Sequence, residues 1–191
     1  QRQMCIRDRF YKRGVKAVKM DEISVELHVS KRTVYEIFGD KEEMLIAGIK
    51  AKHEEMKRNV EAYASAKAKN VIDVISYVYR QQMKVNKMVG VVFYEEIHRM
   101  PRVVKFLQEL HAQERDDSLR FFEAGVREGF FRADVNYEIL IDTANVSMEE
   151  IMHRQLYRKY SMKDLFAHHF LIVIRGLCTE KGVRLLEKAM E

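Results

Sequence analysis

A single proline, Pro101, and only eight glycines interrupt 191 residues, so almost nothing in this chain forbids helix. Proline and glycine are the strongest local breakers of regular structure. Strand-type alternation is nearly absent, whereas apolar residues recur at the three- and four-residue spacings of an amphipathic helix. The expected fold class is all-α, with enough length to bury a core as one domain or two small ones.

The few breakers locate the first elements. A helix closes over Phe10–Arg13 and Gly14 stops it. A second spans Met20–Leu27, with Asp21 and Glu22 complementing the dipole of its first turn. His28, Val29 and Ser30 make a short turn, and Ser30 caps a third helix, Lys31–Phe38. There Val34, Ile37 and Phe38 form the expected buried stripe, while Lys31 and Tyr35 share the opposite face beside Arg32. Gly39 ends that helix. Asp40 and Glu43 read as a capping box opening a fourth, which runs towards Tyr63. Helical periods resume at Val71. Pro101 starts a long helix to about Glu128, and Asn136 caps one from Tyr137 to about Tyr160. Another follows from Met162 to about Thr179, then a short tail helix.

Two short helices joined by a three-residue turn, the second basic on its outer face, form a helix-turn-helix. In such a unit the second helix enters the major groove, and its N-terminal residues reach base edges. Lys31 and Arg32 stand at that end and carry only donors, suited to guanine acceptors or phosphate. Ser30, Thr33 and Tyr35 add hydroxyl groups. Lys41 lies in the first turn of the next helix, where free backbone N–H groups favour an anion. Arg32 has Glu36 one turn on and could simply pair with it. The net charge of +5 permits an anionic partner without demanding one.

From Gly14 to Leu45 the sequence resembles the DNA-binding domain of TetR-type (tetracycline-repressor-like) transcriptional regulators. Phe10, Gly14, Ile23, Val29, Ser30, Tyr35, Phe38, Lys41, Glu42 and Leu45 match the family pattern in order and spacing. Two departures stand out. Arg32 occupies a position that is often glycine in the family. Val18, Lys19 and Met20 replace the threonines usual at the start of the second helix, so Lys19 is expected to contact phosphate in their place.

The resemblance implies an N-terminal three-helix helix-turn-helix domain, residues 10–48, and a larger helical ligand-binding and dimerisation domain, residues 49–191. It implies a homodimer on a palindromic, double-stranded DNA operator, usually as a repressor. It also implies an effector pocket in segments that here hold Met83, Met88, Phe93, Tyr94, Phe106, Leu110, Phe121 and Phe122. That composition points to a small apolar effector. Dimers of the family form through the last two long helices. Independently, "DLFAHHFLIVIRGLC" is apolar nearly all round and needs cover on both sides. Phe166, Phe170, Val173, Ile174 and Leu177 are the expected interface.

Two Glu-x-x-His pairs, Glu95 with His98 and Glu150 with His153, raise a rival from another class: a di-iron helical bundle. Their polar settings disfavour it, and Glu109, Glu114 and Glu123 could complete it by composition only. No nucleophile elbow, glycine-rich phosphate loop or Cys/His cluster is present, so neither an enzyme nor a cofactor is expected. Cys5 and Cys178 lie far apart and suit a reducing compartment. The apolar run Phe170–Ile174 is too short to span a bilayer, so no membrane association is expected and the cytoplasm is the expected location. Residues 1–9, "QRQMCIRDR", stand apart. MCIRDR back-translates to ATGTGTATAAGAGACAG plus one base, the end of a transposon adaptor used in sequencing libraries. They are expected to be adaptor-derived rather than native.

Overall fold

A computed structural model describes residues 2–190, with side chains from Ile6 onward, so Cys5 and the start of the adaptor-like segment lie outside the described side chains. The architecture is all-α. The helices are α1 Arg2–Arg13, α2 Met20–Leu27, α3 Lys31–Phe38, α4 Lys41–Ala66, α5 Val71–Met88 and α6 Val91–Ile97. They continue with α7 Pro101–Gln113, α8 Arg115–Arg127, α9 Tyr137–His153, α10 Met162–Leu177 and α11 Glu180–Met190. Among the described residues no helix is long and apolar enough to cross a membrane.

The chain divides into two compact units. One holds the chain up to Lys57 together with Met88–Glu109; the other holds Arg58–Lys87 and the chain from Leu110 onward. The compact units divide after Lys57, within the helix that the two expected domains share about residue 48, and the first unit also takes in α6 and most of α7.

In the first unit Phe10, Val15, Val18, Ile23, Val34 and Leu45 are fully buried. Helix α1 packs against α2 and α6, and α2 packs against α3. Tyr11 meets Phe93 edge-on, ring centres 4.8 Å apart. Gly14 adopts the left-handed φ of +83° that ends α1. A Cβ there would lie 2.8 Å from Val92 Cγ1, so glycine serves both the backbone and the packing. The expected stripe of α3 is corrected at Ile37, which is 61% exposed, while Val34 is buried and Phe38 half-buried. An eight-residue helix that leans on α2 has a narrow inner face centred on Val34, and Ile37 falls outside it.

The second unit is built round Ile72, Ile75, Phe130, Phe131, Ile174, Leu177 and Leu186. Asn70 Oδ1 accepts from the N–H groups of Ile72 and Asp73, and Glu128 Oε2 accepts from that of Val71, so both cap α5. The loop after α8 locks onto the α10–α11 junction, with Arg132 N–H donating to Leu177 O and Thr179 N–H to Phe130 O, each at 2.9 Å. Asn136 caps α9 and Ser161 caps α10.

Two long helices expected from sequence are shorter. The stretch from Pro101 to Glu128 is interrupted at Glu114, because Asp116 and Asp117 supply acidic groups for a second helix start. Helix α9 ends at His153. Gln155 then turns left-handed at φ +53°, and a single 3-10 turn carries Tyr157 into a buried position.

Helix α1 runs through the segment expected to be adaptor-derived, and one residue there fits poorly. Arg7 is buried, bonds through Nε to Asp8 at 3.0 Å, and leaves Nη1 without a hydrogen-bond partner. A buried guanidinium with an unmet donor costs stability that an apolar side chain of similar reach would not. Arg7→Leu is therefore expected to stabilise the chain by about 1–3 kcal/mol, read as a rise of several degrees in Tm by calorimetry. A fall in Tm would mean that the ion pair with Asp8 outweighs the cost of burial.

Candidate nucleic-acid interface

Helix α3 presents the residues expected to read DNA on a firmly capped start. Ser30 Oγ accepts from Thr33 N–H at 3.0 Å and lies 2.8 Å from Thr33 Oγ1. Lys31, Arg32 and Tyr35 are exposed. Each cation already has an acidic neighbour: Lys31 Nζ is 3.1 Å from Asp21 Oδ1, and Arg32 Nε is 2.8 Å from Glu36 Oε1. Exposed ion pairs of this kind contribute about 0–1 kcal/mol, so a phosphate or a guanine edge can displace either acid. Lys19 is exposed at the start of α2. No side chain caps that helix; Glu22 Oε1 accepts from Lys19 N–H at 3.2 Å instead. The Arg13 guanidinium beside Glu22 holds its carboxyl below the usual range.

Lys41 has a different setting from the one expected. Its ammonium donates to Val15 O and Lys16 O, both at 3.2 Å. The same turn is gripped from its other side. Glu96 on α6 accepts from Lys16 N–H at 3.0 Å and from Val15 N–H. A second anchor lies at the start of α4, where Arg102 donates to Asp40 at 2.5 Å, Glu43 at 2.8 Å and Glu42 at 3.2 Å. The Glu43 backbone N–H and Arg102 together hold the Asp40 carboxyl below its usual value. Its contribution to stability is therefore full above the ordinary aspartate range and is lost as acid brings the pH down through the depressed value. These two anchors place α6 and the start of α7 in the same unit as the helix-turn-helix. Neither Glu96 nor Arg102 is foreshadowed locally, since their partners lie some 60 to 80 residues away.

The remaining expected sites are rearranged. Met88, Phe93, Tyr94 and Phe106 belong to the first unit and Met83, Leu110, Phe121 and Phe122 to the second. A cavity of about 320 Å³ does exist in the second unit, and of those eight residues it is lined by Phe122. Its wall also includes Phe166, Phe170, Val173 and Ile174 of α10, four of the five residues expected at the dimer interface. Ile174 and the fifth, Leu177, are buried in the chain's own core. Phe166 and Phe170 lie against Tyr79, ring centres 5.9 and 5.2 Å away. Phe166, Phe170 and Val173 stay half-buried in the single chain, and the most exposed large apolar residue of α10 is Ile172, 72% exposed.

The di-iron alternative is not supported. Glu150 is exposed and bonded to Arg154, with His153 Nδ1 3.8 Å away. Among the described residues no three His, Cys, Asp or Glu side chains gather to hold a metal.

Because Val15 is buried, removing Glu96 leaves its N–H without its carboxylate acceptor in a poorly hydrated position. Glu96→Ala is expected to cost about 1–3 kcal/mol in denaturant unfolding, and Glu96→Gln to recover most of it. Equal stability of the parent and Glu96→Ala would show that the turn does not depend on this carboxylate.

Comparison with known proteins agrees with this geometry. Residues 7–47 match the profile of bacterial regulatory proteins, tetR family. No curated protein matches the chain by sequence. Among solved structures, the fold is similar to a putative transcriptional regulator from Saccharomonospora viridis in complex with choline, with TM-score 0.66 and 15% identity over 94% of this chain and 97% of that one. It is similar to the TetR family protein CprB from S. coelicolor A3(2), with TM-score 0.65 and 16% identity over 99% and 92%. The ketosteroid transcriptional regulator KstR2 of Mycobacterium tuberculosis gives TM-score 0.55 and 17% identity over 94% of each chain. The family signature lies in the unit that carries the helix-turn-helix, and the fold shared with these structures spans nearly the whole chain.

Proposed function

We propose that this chain is a ligand-responsive repressor that binds a palindromic DNA operator as a homodimer in the cytoplasm. The observation that carries the reading is the exposed start of α3, where Lys31, Arg32 and Tyr35 stand on a turn closed by Ser30 and Thr33. Arg32 and Lys31 exchange their present carboxylate neighbours for guanine acceptors or phosphate oxygens. Ser30, Thr33 and Tyr35 donate hydroxyls to the backbone, and Lys19 adds a phosphate contact. Lys41 acts first as the brace of the turn after Gly14, with one N–H left for phosphate. The helix-turn-helix with its brace, residues 10–57 and 88–109, is the DNA-binding domain in this reading, and the rest serves effector binding and dimerisation.

Dimerisation is assigned to the outer faces of α9 and α10. Ile139 and Val146 are exposed two turns apart on α9, and Ile172 is exposed on α10. Large apolar side chains so exposed on two consecutive helices suit a partner of the same kind. A second subunit sets two recognition helices against successive major grooves, which is what a palindromic site requires. The solved relatives support an effector role for the second unit: one is described in complex with choline and another as a gamma-butyrolactone receptor.

Gel shift with the DNA upstream of the chain's own gene, at about 0.1 M salt, tests the DNA assignment. Lys31→Ala and Tyr35→Ala are each expected to weaken binding about tenfold, the scale of one lost specific contact. Binding as tight as the parent's would remove α3 from the interface. In sedimentation at micromolar concentration the parent is expected to run as a dimer and Val146→Glu with Ile172→Asp as a monomer. A monomeric parent would overturn the dimer.

A further inference from the structure

The cavity in the second unit carries more chemical information than its existence. It lies among α8, α9 and α10, and the last turn of α7 reaches it through His111. Its volume of about 320 Å³ is at the low end for sites that take drug-sized ligands. Phe122, Phe166 and Phe170 supply the aromatic wall, the last two with rings 5.2 Å apart and 29° from parallel. Four polar side chains reach it: His111, Ser118, Asn145 and His169. No lysine, arginine, aspartate or glutamate lines it.

Each of those four polar groups can both donate and accept a hydrogen bond, and none carries a permanent charge. An anionic ligand would lose hydration there without meeting a fixed positive charge, which is costly, and a cation would have only the three phenyl faces to offset the same loss. A purely apolar ligand would cover the half-buried Ser118, Asn145 and His169 without pairing them, while the exposed His111 keeps its water. We infer that the second unit binds a compact, uncharged ring compound bearing a hydroxyl or carbonyl group, its ring against Phe122, Phe166 and Phe170 and its polar edge towards Asn145, Ser118 and the two histidines. This rests on the reading of the chain as a ligand-responsive regulator for the ligand's role as effector. Binding itself is independent of DNA.

Titration calorimetry of the full chain with 2-naphthol, naphthalene and choline tests the inference. 2-Naphthol is expected to bind, naphthalene at least about tenfold more weakly, the scale of one unmet buried hydrogen bond, and choline not at all. Asn145→Leu and, as a second variant, Ser118→Ala are expected to weaken 2-naphthol and leave naphthalene unchanged, with folding checked by circular dichroism. Absence of 2-naphthol binding, choline binding as tight, or 2-naphthol affinity unchanged in both variants would overturn it. Gel shift on the same preparations separates the two readings. Retained DNA binding without 2-naphthol binding refutes the ligand class alone, and the converse refutes the regulator reading alone.

Discussion

The turn after Gly14 is held at its N–H groups by the Glu96 carboxylate and at its carbonyls by the Lys41 ammonium, and the helix-turn-helix depends on that grip. The turn sets the direction in which α2 leaves α1, and α3 packs on α2. Hydrogen bonds to charged groups are the stronger kind, about 1.5–3 kcal/mol each, and these act on a peptide whose residue, Val15, is buried. Helix α3 is therefore set by tertiary bonds from α4 and α6 as well as by its own short connection to α2.

Arg102 extends the same logic to the next junction. Its planar fork offers several fixed donors, which here meet three carboxylates at the start of α4. That explains why α6 and the beginning of α7, late in the sequence, belong to the first compact unit. The second unit is organised differently, by an apolar core from α5, α10, α11 and the loop after α8. In α8, Gly125 leaves room for Phe131: an added Cβ would stand 2.0 Å from its ring.

Local chemistry made much of the first unit legible. The ranges of α2 and α3, the Ser30 and Asp40 caps and the stops at Gly14 and Gly39 each follow from a residue acting on its immediate neighbours. Long-range choices were not legible. Nothing near Lys41 in sequence says that its ammonium meets two carbonyls of an earlier turn. Nothing near Glu96 or Arg102 says that they brace the helix-turn-helix. In α10, apolar on every side, periodicity does not tell which face meets the chain's own core, so the sequence points to Ile174 and Leu177, which are buried, and gives no signal for the exposed Ile172. The resemblance groups Met83, Met88, Phe93, Tyr94, Phe106, Leu110, Phe121 and Phe122 as one pocket set, whereas the fold divides them between two units.

The role proposed for α3 is that of a braced reader of double-stranded DNA in a two-fold assembly. Selection of binding sites from a random-sequence duplex library, using the intact chain, tests this most directly. The account predicts enrichment of an inverted repeat whose half-sites lie about one helical turn apart, centre to centre, or a multiple of it, with the enriched bases lost when Lys31 and Arg32 are both replaced by alanine. Enrichment of a single unrepeated element, or the same repeat with both residues removed, would contradict it.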